Sequence, residues 1–177
     1  MRAVVIALAL LAGCRGGAQE PPFPYFDNPQ TRVHDSAGIL SDEFEDRLGE
    51  RLDMAEARYG PQLAVVTVPS LHGYAIEDFS LYYAREWGIG DAKRDDGLQI
   101  MVAPNERKVR LEVGTGLERA FSDPYAKTVV DAMLPHFRTG DYESGISKAS
   151  EMLIERMRAH PTLPANDNES GERANAA

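Results

Sequence analysis

The stretch DDGLQIMVAPNERKVRLEVGTGLERAFSDP, which runs from Asp95 to Pro124, decides the fold expected for this chain. β-Branched and apolar residues fill Gly97–Ala103 and Val109–Val113, and turn-forming residues separate the two runs. This pattern predicts a β-hairpin. The first run is apolar almost throughout, whereas the second alternates with charged residues. We therefore expect the first strand to lie inside the sheet and the second to lie nearer an edge.

Acidic side chains are expected to meet at the open end of this hairpin. Residues before the first strand of an antiparallel pair lie beside those after the second, so Asp95 and Asp96 are predicted to lie near Gly116 and Glu118. Asp123 follows one short turn later. Neighbouring carboxylates repel unless a positive charge lies among them, which predicts a cation site. Oxygen ligands without paired His or Cys favour Ca²⁺ or Mg²⁺ over zinc or copper.

Each of these acids also has an ordinary structural interpretation. Asp123 or Ser122 could cap a helix whose first position is Pro124. Glu118 could pair with Arg119 or Arg110, and the acids before the first strand could form a solvated loop. Only their occurrence as a set favours the cation site.

Composition limits the classes of function. A chain of 177 residues with 43% hydrophobic residues can form one compact domain with short tails, which we expect to be monomeric. The net charge of -9 and the lack of a basic cluster make a nucleic-acid partner unfavourable. The single cysteine excludes an internal disulfide and every cysteine-based zinc pattern.

The N-terminus resembles a bacterial lipoprotein signal peptide. A positive start at Arg2 precedes the apolar run Ala3–Leu11, which is too short to span a bilayer, and the sequence Leu-Ala-Gly-Cys then ends at Cys14. The resemblance implies that residues 1–13 are removed and that lipidated Cys14 tethers the chain to an envelope membrane, facing the bacterial periplasm. The alternative is an ordinary cleaved signal with a chance cysteine.

The remaining chain divides into a tether, a domain and a tail. Residues 14–30 are rich in Gly and Pro and predict a flexible tether, and residues 161–177 predict a disordered tail. Within the domain, 31–160, helical spacing appears over Ser41–Tyr59, Ala75–Trp87 and Tyr142–Arg158, and from about Asp123. Leu63–Val68 reads as a strand buried on both faces. The order αβαββαα predicts a three-layer α/β/α sandwich with a small mixed sheet.

Six short motifs in this order resemble the TPM domain family, over about residues 31–158. They are VHDSAGILS from Val33, WGIG from Trp87, DDGL from Asp95, RLEVGTGLE from Arg110, FSD from Phe121 and GDY from Gly140. That family includes photosystem II repair proteins of the thylakoid lumen, bacterial envelope proteins and an auxiliary subunit of a nematode receptor.

The resemblance implies an α/β/α fold with a loop-borne acidic site that binds calcium or a similar cation in some members. Carried over by position, the candidate metal ligands are Asp35, Asp95, Asp96, Glu118 and Asp123; only the resemblance adds Asp35. Two functions follow as expectations. The first is a membrane-tethered accessory module that assists the assembly, repair or regulation of a membrane protein complex. The alternative is a weak metal-dependent phosphatase, for which the sequence offers no nucleophile pattern.

Overall fold

The computed structural model describes residues 31–162, and a four-stranded sheet lies at its centre. The strands β1 (Val33–Asp35), β2 (Gln62–Thr67), β3 (Gly97–Ala103) and β4 (Lys108–Val113) lie in that order across the sheet. The first three run parallel, and β4 pairs antiparallel with β3. The predicted hairpin is therefore confirmed. All seven residues of β3 are buried, while β4 is only partly covered and forms an edge.

Helices cover both faces of the sheet. They are α1 (Asp42–Tyr59), α2 (Ile76–Glu86), α3 (Asp123–Phe137) and α4 (Tyr142–Ala159), and a short 3₁₀ helix lies at Thr115–Leu117. Three helices, α1, α3 and α4, pack on one face, and α2 alone packs on the other. The predicted three-layer α/β/α sandwich with a mixed sheet is confirmed.

The two faces of the sheet have cores of different size. Alternate residues of the central strands point to opposite faces: Val65 and Ile100 lie in the core under α1, α3 and α4, whereas Val66 and Met101 lie under α2. Both central strands are therefore buried on both faces, which explains their continuous apolar sequences. Within the described part of the chain, the smaller core under α2 contains eight buried side chains, of which Tyr83 and Phe79 are the largest.

The predicted element order αβαββαα lacked one strand. The three-residue strand β1 was missed because Val33–Asp35 is too short to show a period of two, and it forms only by pairing with β2. At the start of α3, Ser122 is the N-cap residue, which was one of the two predicted alternatives, although its side chain makes no capping hydrogen bond. The helix begins at Asp123, so the prediction that Pro124 is its first residue is wrong by one position. By contrast, Ser41 caps α1 by accepting a hydrogen bond from the Phe44 amide.

The predictions about the two ends of the chain fall mainly outside residues 31–162. The predicted signal peptide, the predicted lipidation of Cys14, the predicted tether and most of the predicted tail concern residues beyond the described ones and stay predictions. Thr162, placed in the tail from sequence, packs on the domain, and its amide donates to the Tyr59 carbonyl at 2.8 Å. Within 31–162, no helix has the length and apolar content needed to cross a bilayer.

The layer that contains α2 should be the more sensitive to loss of a single side chain. We expect Phe79→Ala, at a fully buried position, to lower the free energy of unfolding by about 3–5 kcal/mol, because it removes a ring from a small core and leaves a cavity. Urea unfolding followed by circular dichroism would measure this loss. The matched control is Leu81→Ala on the exposed side of α2, which should cost less than about 1 kcal/mol.

Candidate functional site

The open end of the hairpin is held together by Asp95. This residue adopts a left-handed backbone conformation, with φ of 47°, in the loop that precedes β3. Its Oδ2 atom accepts hydrogen bonds from the amide of Thr115 at 3.1 Å and from the Thr115 hydroxyl at 2.5 Å. Its carbonyl oxygen accepts from the Gly116 amide at 3.0 Å. The loop before β3 is therefore tied directly to the loop after β4, as antiparallel pairing predicted.

Two glycines allow this close approach. A Cβ atom on Gly114 would overlap the carbonyl oxygen of Asp95, and one on Gly116 would overlap the carbonyl oxygen of Arg94. The main chains of the two loops thus meet with no side chain between them. The Gly-Thr-Gly sequence after β4 is required by this packing.

Asp96 points into the protein and not toward solvent. Its side chain is fully buried and accepts hydrogen bonds from the Asp91 amide at 2.9 Å, from Nε of Arg94 at 2.6 Å and from the Thr162 hydroxyl at 2.7 Å. These donors come from its own loop and from the segment after α4. The predicted metal ligand Asp96 is therefore a structural residue that joins distant parts of the chain.

The pKa of Asp96 reflects these contacts. Burial acts to raise the pKa, but the hydrogen bonds from Arg94, from the Asp91 amide and from Thr162 outweigh burial and hold the pKa below its ordinary value. Asp96 is thus ionised at neutral pH, with its charge balanced by Arg94.

A cleft lies between this end of the hairpin and the second half of α2, and we call it the acidic cleft. It has a volume of about 410 Å³ and is lined by four carboxylate residues, Asp91, Asp95, Glu112 and Glu118. Arg85 of α2 also reaches the cleft. Two of the predicted site residues, Asp95 and Glu118, therefore share one cavity. Glu118 is exposed, and its carboxylate makes no hydrogen bond or ion pair within residues 31–162.

Asp91 and Glu112 are residues of the cleft that sequence reasoning missed as candidates. Glu112 follows Leu111 in the alternating strand β4, so its side chain must face the same side of the sheet as α2. The alternation of apolar and charged residues in β4 could therefore have predicted which face of the sheet Glu112 lies on. Asp91 accepts hydrogen bonds from the amides of Lys93 and Arg94 in a local turn, and no spacing in the sequence indicated that this turn faces the cleft.

Asp123 belongs to a different cavity. It lies at the start of α3 and lines a groove of about 620 Å³ that follows β4, which we call the edge groove. Glu112 and Glu118 line both cavities, so they lie at the boundary between the acidic cleft and the edge groove. Asp123 is exposed, and its carboxylate makes no hydrogen bond or ion pair within the described part of the chain.

Asp35 lies at the opposite end of the sheet. It is the last residue of β1 and pairs with Thr67, the last residue of β2, whereas Gly97 after Asp96 pairs with Gln62, the first residue of β2. Gln62 and Thr67 are five residues apart along β2, so Asp35 and Gly97 are separated by about 17 Å in the direction of the strands. The expectation that Asp35 joins the other acids needs correction, because parallel strands keep their two ends apart.

The Asp35 carboxylate has structural partners at its own end of the sheet. One oxygen accepts a hydrogen bond from the Thr67 hydroxyl, and the other accepts from the Leu40 amide at 2.8 Å. Glu45 lies nearby: its pKa is raised by burial and further by the negative charge of Asp35. Asp35 therefore fixes the turn between β1 and α1.

The five predicted ligands do not form one metal centre. Among residues 31–162, no group of three or more His, Cys, Asp and Glu side chains is arranged to hold a metal ion. The side chains of Asp35 and Asp96 are occupied by hydrogen bonds from the protein, and Asp123 lies in the other cavity. What remains is a cleft with carboxylates on several sides and no complete set of protein ligands.

These observations define the class of protein: a small α/β/α sandwich with an acid-lined cleft where the loops of its hairpin meet. The family model of the TPM domain matches residues 33–156. The chain belongs to the TPM domain family.

Solved structures agree with this assignment. The N-terminal domain of a protein from P. gingivalis is 35% identical, with a TM-score of 0.69, over 76% of this chain and 88% of that chain. The N-terminal domain of the cg2496 protein from Corynebacterium glutamicum is 18% identical, with a TM-score of 0.61, over 83% of this chain and 92% of that chain. The BA42 protein from Bizionia argentinensis is 17% identical, with a TM-score of 0.63, over 73% of this chain and 87% of that chain. The last two support the fold alone. A comparison with curated proteins found no match.

Replacement of Asp96 should give a loss of stability that depends on pH. We expect Asp96→Asn to lower the free energy of unfolding at pH 7 by about 1.5–3 kcal/mol, because the charged acceptor of three hydrogen bonds is removed. The folded-state pKa of Asp96 lies below its unfolded value. Its contribution is therefore present above the unfolded pKa of about 3.9 and disappears as pH falls through the folded pKa.

Urea unfolding at pH 7 and in a series of acidic buffers would measure this difference. The difference in the free energy of unfolding between Asp96→Asn and the parent chain should become smaller as the pH falls below about 3.9. Asp131→Asn is the control, since Asp131 forms an exposed pair with Lys127 within α3 and should change stability by less than about 0.5 kcal/mol. An Asp96→Asn deficit of equal size at every pH would contradict the role of the ionised carboxylate.

Proposed function

We propose that this TPM domain is an accessory module of the bacterial envelope. Lipidated Cys14 holds it at the membrane, facing the periplasm, and its acidic cleft binds a divalent cation, Ca²⁺ or Mg²⁺. The cation stabilises the loops around the cleft in a shape that a membrane protein complex recognises during assembly, repair or regulation. The observation that carries the proposal is the meeting of four carboxylate residues around one cleft.

The electrostatics of the cleft support a cationic ligand. Two of the four carboxylates already have arginine partners, because Glu112 pairs with Arg110 and Asp91 with Arg94. The other two, Asp95 and Glu118, have no ion pair within residues 31–162 and outnumber Arg85, so the cleft is negative, and the whole chain carries a net charge of -9. A cleft lined by charges of one sign raises the local concentration of ions of the opposite sign. The exposed carboxylate of Glu118 has no positive partner within residues 31–162. A cation bound beside it would reduce the repulsion among the carboxylates without breaking an existing ion pair.

The incomplete set of protein ligands points to weak binding. Ca²⁺ takes six to eight oxygen ligands, which can include backbone carbonyls and water. In our proposal Asp95 and Glu118 contact the ion, and water and backbone oxygens supply the remainder. Extracellular calcium modules with few charged ligands have dissociation constants of about 10⁻⁴–10⁻³ M. Binding in that range would suit a module outside the cytoplasm.

Phosphate ester hydrolysis is the competing activity, and the acidic cleft does not favour it. A phosphate monoester is an anion, and the carboxylates around the cleft would repel it unless a metal ion intervened. The accessory role is therefore the proposal. Release of p-nitrophenol from its phosphate ester by the purified chain, lost in Asp95→Asn and Glu118→Gln, would decide for the enzyme instead.

Cation binding should raise the melting temperature. For a dissociation constant near 1 mM, 10 mM CaCl₂ should stabilise the folded chain by about 1.4 kcal/mol, which corresponds to a rise of about 3–6 °C over buffer with chelator at matched ionic strength. The double variant Asp95→Asn with Glu118→Gln should lose this shift. Differential scanning calorimetry, repeated with MgCl₂, measures it.

Two further variants serve as matched controls. Asp123→Asn changes a carboxylate in the neighbouring groove, and Asp35→Asn changes one at the far end of the sheet. Both should keep the calcium shift even where the basal stability falls. If the parent chain melts at the same temperature with calcium, with magnesium and with chelator, the cation proposal is wrong.

A further inference from the structure

Within residues 31–162, the strand β4 has a partner strand on only one side of its backbone. It is the last strand of the sheet, and β3 pairs with it on one side only. The Gly114 amide donates to the Gly97 carbonyl at 2.8 Å, so this residue points toward β3. Backbone groups alternate along an antiparallel strand, and therefore the N–H and C=O groups of Val109, Leu111 and Val113 point outward.

Space is available along this outward side. The edge groove is lined by every residue from Val109 to Val113, together with residues of α2 and α3. Side chains of a strand alternate between its two faces, so a cavity that touches five consecutive residues must run along the edge. The strand has six residues and a length of roughly 20 Å, enough to pair with a hexapeptide.

The two sides of the edge groove differ in chemistry. The side chains of Val109, Leu111 and Val113 face the core under α3, so β4 itself contributes only apolar side chains to that side. The helix α3 adds both apolar residues, Ala126 and Val130, and charged ones, Asp123, Lys127 and Asp131. Arg110 and Glu112 alternate with the apolar residues of β4 and face the side of α2, where Glu77 also lines the groove. An extended segment lying along β4 would place alternate side chains on these two sides.

The charge of the edge groove favours a basic occupant. Its acidic residues outnumber its two basic residues, Arg110 and Lys127, and each basic residue already pairs with a carboxylate, Glu112 and Asp131 respectively. Three acidic residues remain beyond these pairs: Glu77, Glu118 and Asp123. A second copy of this chain, with its net charge of -9, would bring like charge to the groove.

We propose that the outer edge of β4 is a docking site for an extended protein segment that alternates apolar and basic residues and adds to the sheet as a fifth strand, antiparallel to β4. Main-chain hydrogen bonds to Val109, Leu111 and Val113 provide the pairing, and the acidic groove selects the basic side chains. This partner surface extends the proposed accessory role, but binding there does not require a cation in the acidic cleft.

The pairing geometry predicts which side chain of the segment goes to which side. Residues that exchange both hydrogen bonds across an antiparallel pair carry side chains on the same face of the sheet. The segment residues bonded to Val109, Leu111 and Val113 therefore face the side of α3. Their basic neighbours face α2 and Glu77, and the amides of those neighbours point away from β4.

A labelled hexapeptide of alternating lysine and valine tests the site on the purified full chain, by fluorescence anisotropy. We expect this peptide to bind and the glutamate–valine hexapeptide not to bind. N-methylation of the valine amides should abolish binding, because those amides donate to β4, whereas N-methylation of the lysine amides should leave it unchanged. Equal binding of the acidic and basic peptides, or equal effects of the two methylation patterns, would overturn the proposal.

Variants of the chain locate the peptide on β4. Val113→Pro removes an outward N–H without removing a hydrogen bond to β3, and should weaken peptide binding about fivefold or more. Val113→Ala keeps the backbone amide and should bind the peptide nearly as the parent chain does. Glu77→Lys should weaken binding about twofold to fivefold, and Asp78→Lys, on the neighbouring exposed position, should not. Thermal melts confirm that each variant is folded.

Two other outcomes would assign the edge differently. If sedimentation shows that the chain forms dimers which Val113→Pro dissociates, the occupant is a second copy and the peptide proposal fails. If neither hexapeptide binds a monomeric chain, the charges on β4 serve only to protect an open edge from aggregation. Neither result bears on cation binding, which the calcium melt reports separately.

Discussion

The buried carboxylate of Asp96 is the interaction on which this end of the molecule depends. An ionised carboxylate removed from water is tolerated only when donors surround it, and here they come from Arg94, from the Asp91 amide and from Thr162. Those donors lie in the loop before β3 and in the segment after α4. Thr162 is itself bonded to the last residue of α1, so one buried charge joins the ends of two helices to the start of a strand.

This constraint sets the shape of the acidic cleft. Because Asp96 turns inward, Asp95 is left at the surface in a left-handed conformation, where it bonds to Thr115 and orients the loop after β4. Glu118 follows in that loop and faces the same cavity. Two adjacent aspartates therefore have opposite roles: one stabilises the fold, and the other belongs to the proposed binding surface. The cleft and the edge groove meet at Glu112 and Glu118, so a cation and a protein segment would bind side by side.

The acids identified from sequence show where local reasoning stops. Hairpin pairing correctly placed Asp95 beside the Gly-Thr-Gly loop, because antiparallel strands bring residues of known spacing together. The same pairing could not tell that Asp96 is buried, since its donor Thr162 lies 66 residues away along the chain. Asp35 was grouped with the other acids by resemblance alone, and the parallel pairing of β1 with β2 separates it from them by about 17 Å along the strand direction.

By itself, the sequence determined the hairpin, the three-layer architecture, the membership of the TPM family and the acidity of the chain. These follow from periodic apolar patterns and from motifs in order, which are local properties. Alternation in the sequence also predicted that β4 lies nearer an edge. Only the tertiary structure decided that β1 exists, that Asp35 lies apart from the other acids, and that those acids divide among a buried network, a cleft and a groove along β4. Those features depend on contacts between residues far apart in the chain, and neither residue of such a contact signals its partner in the local sequence.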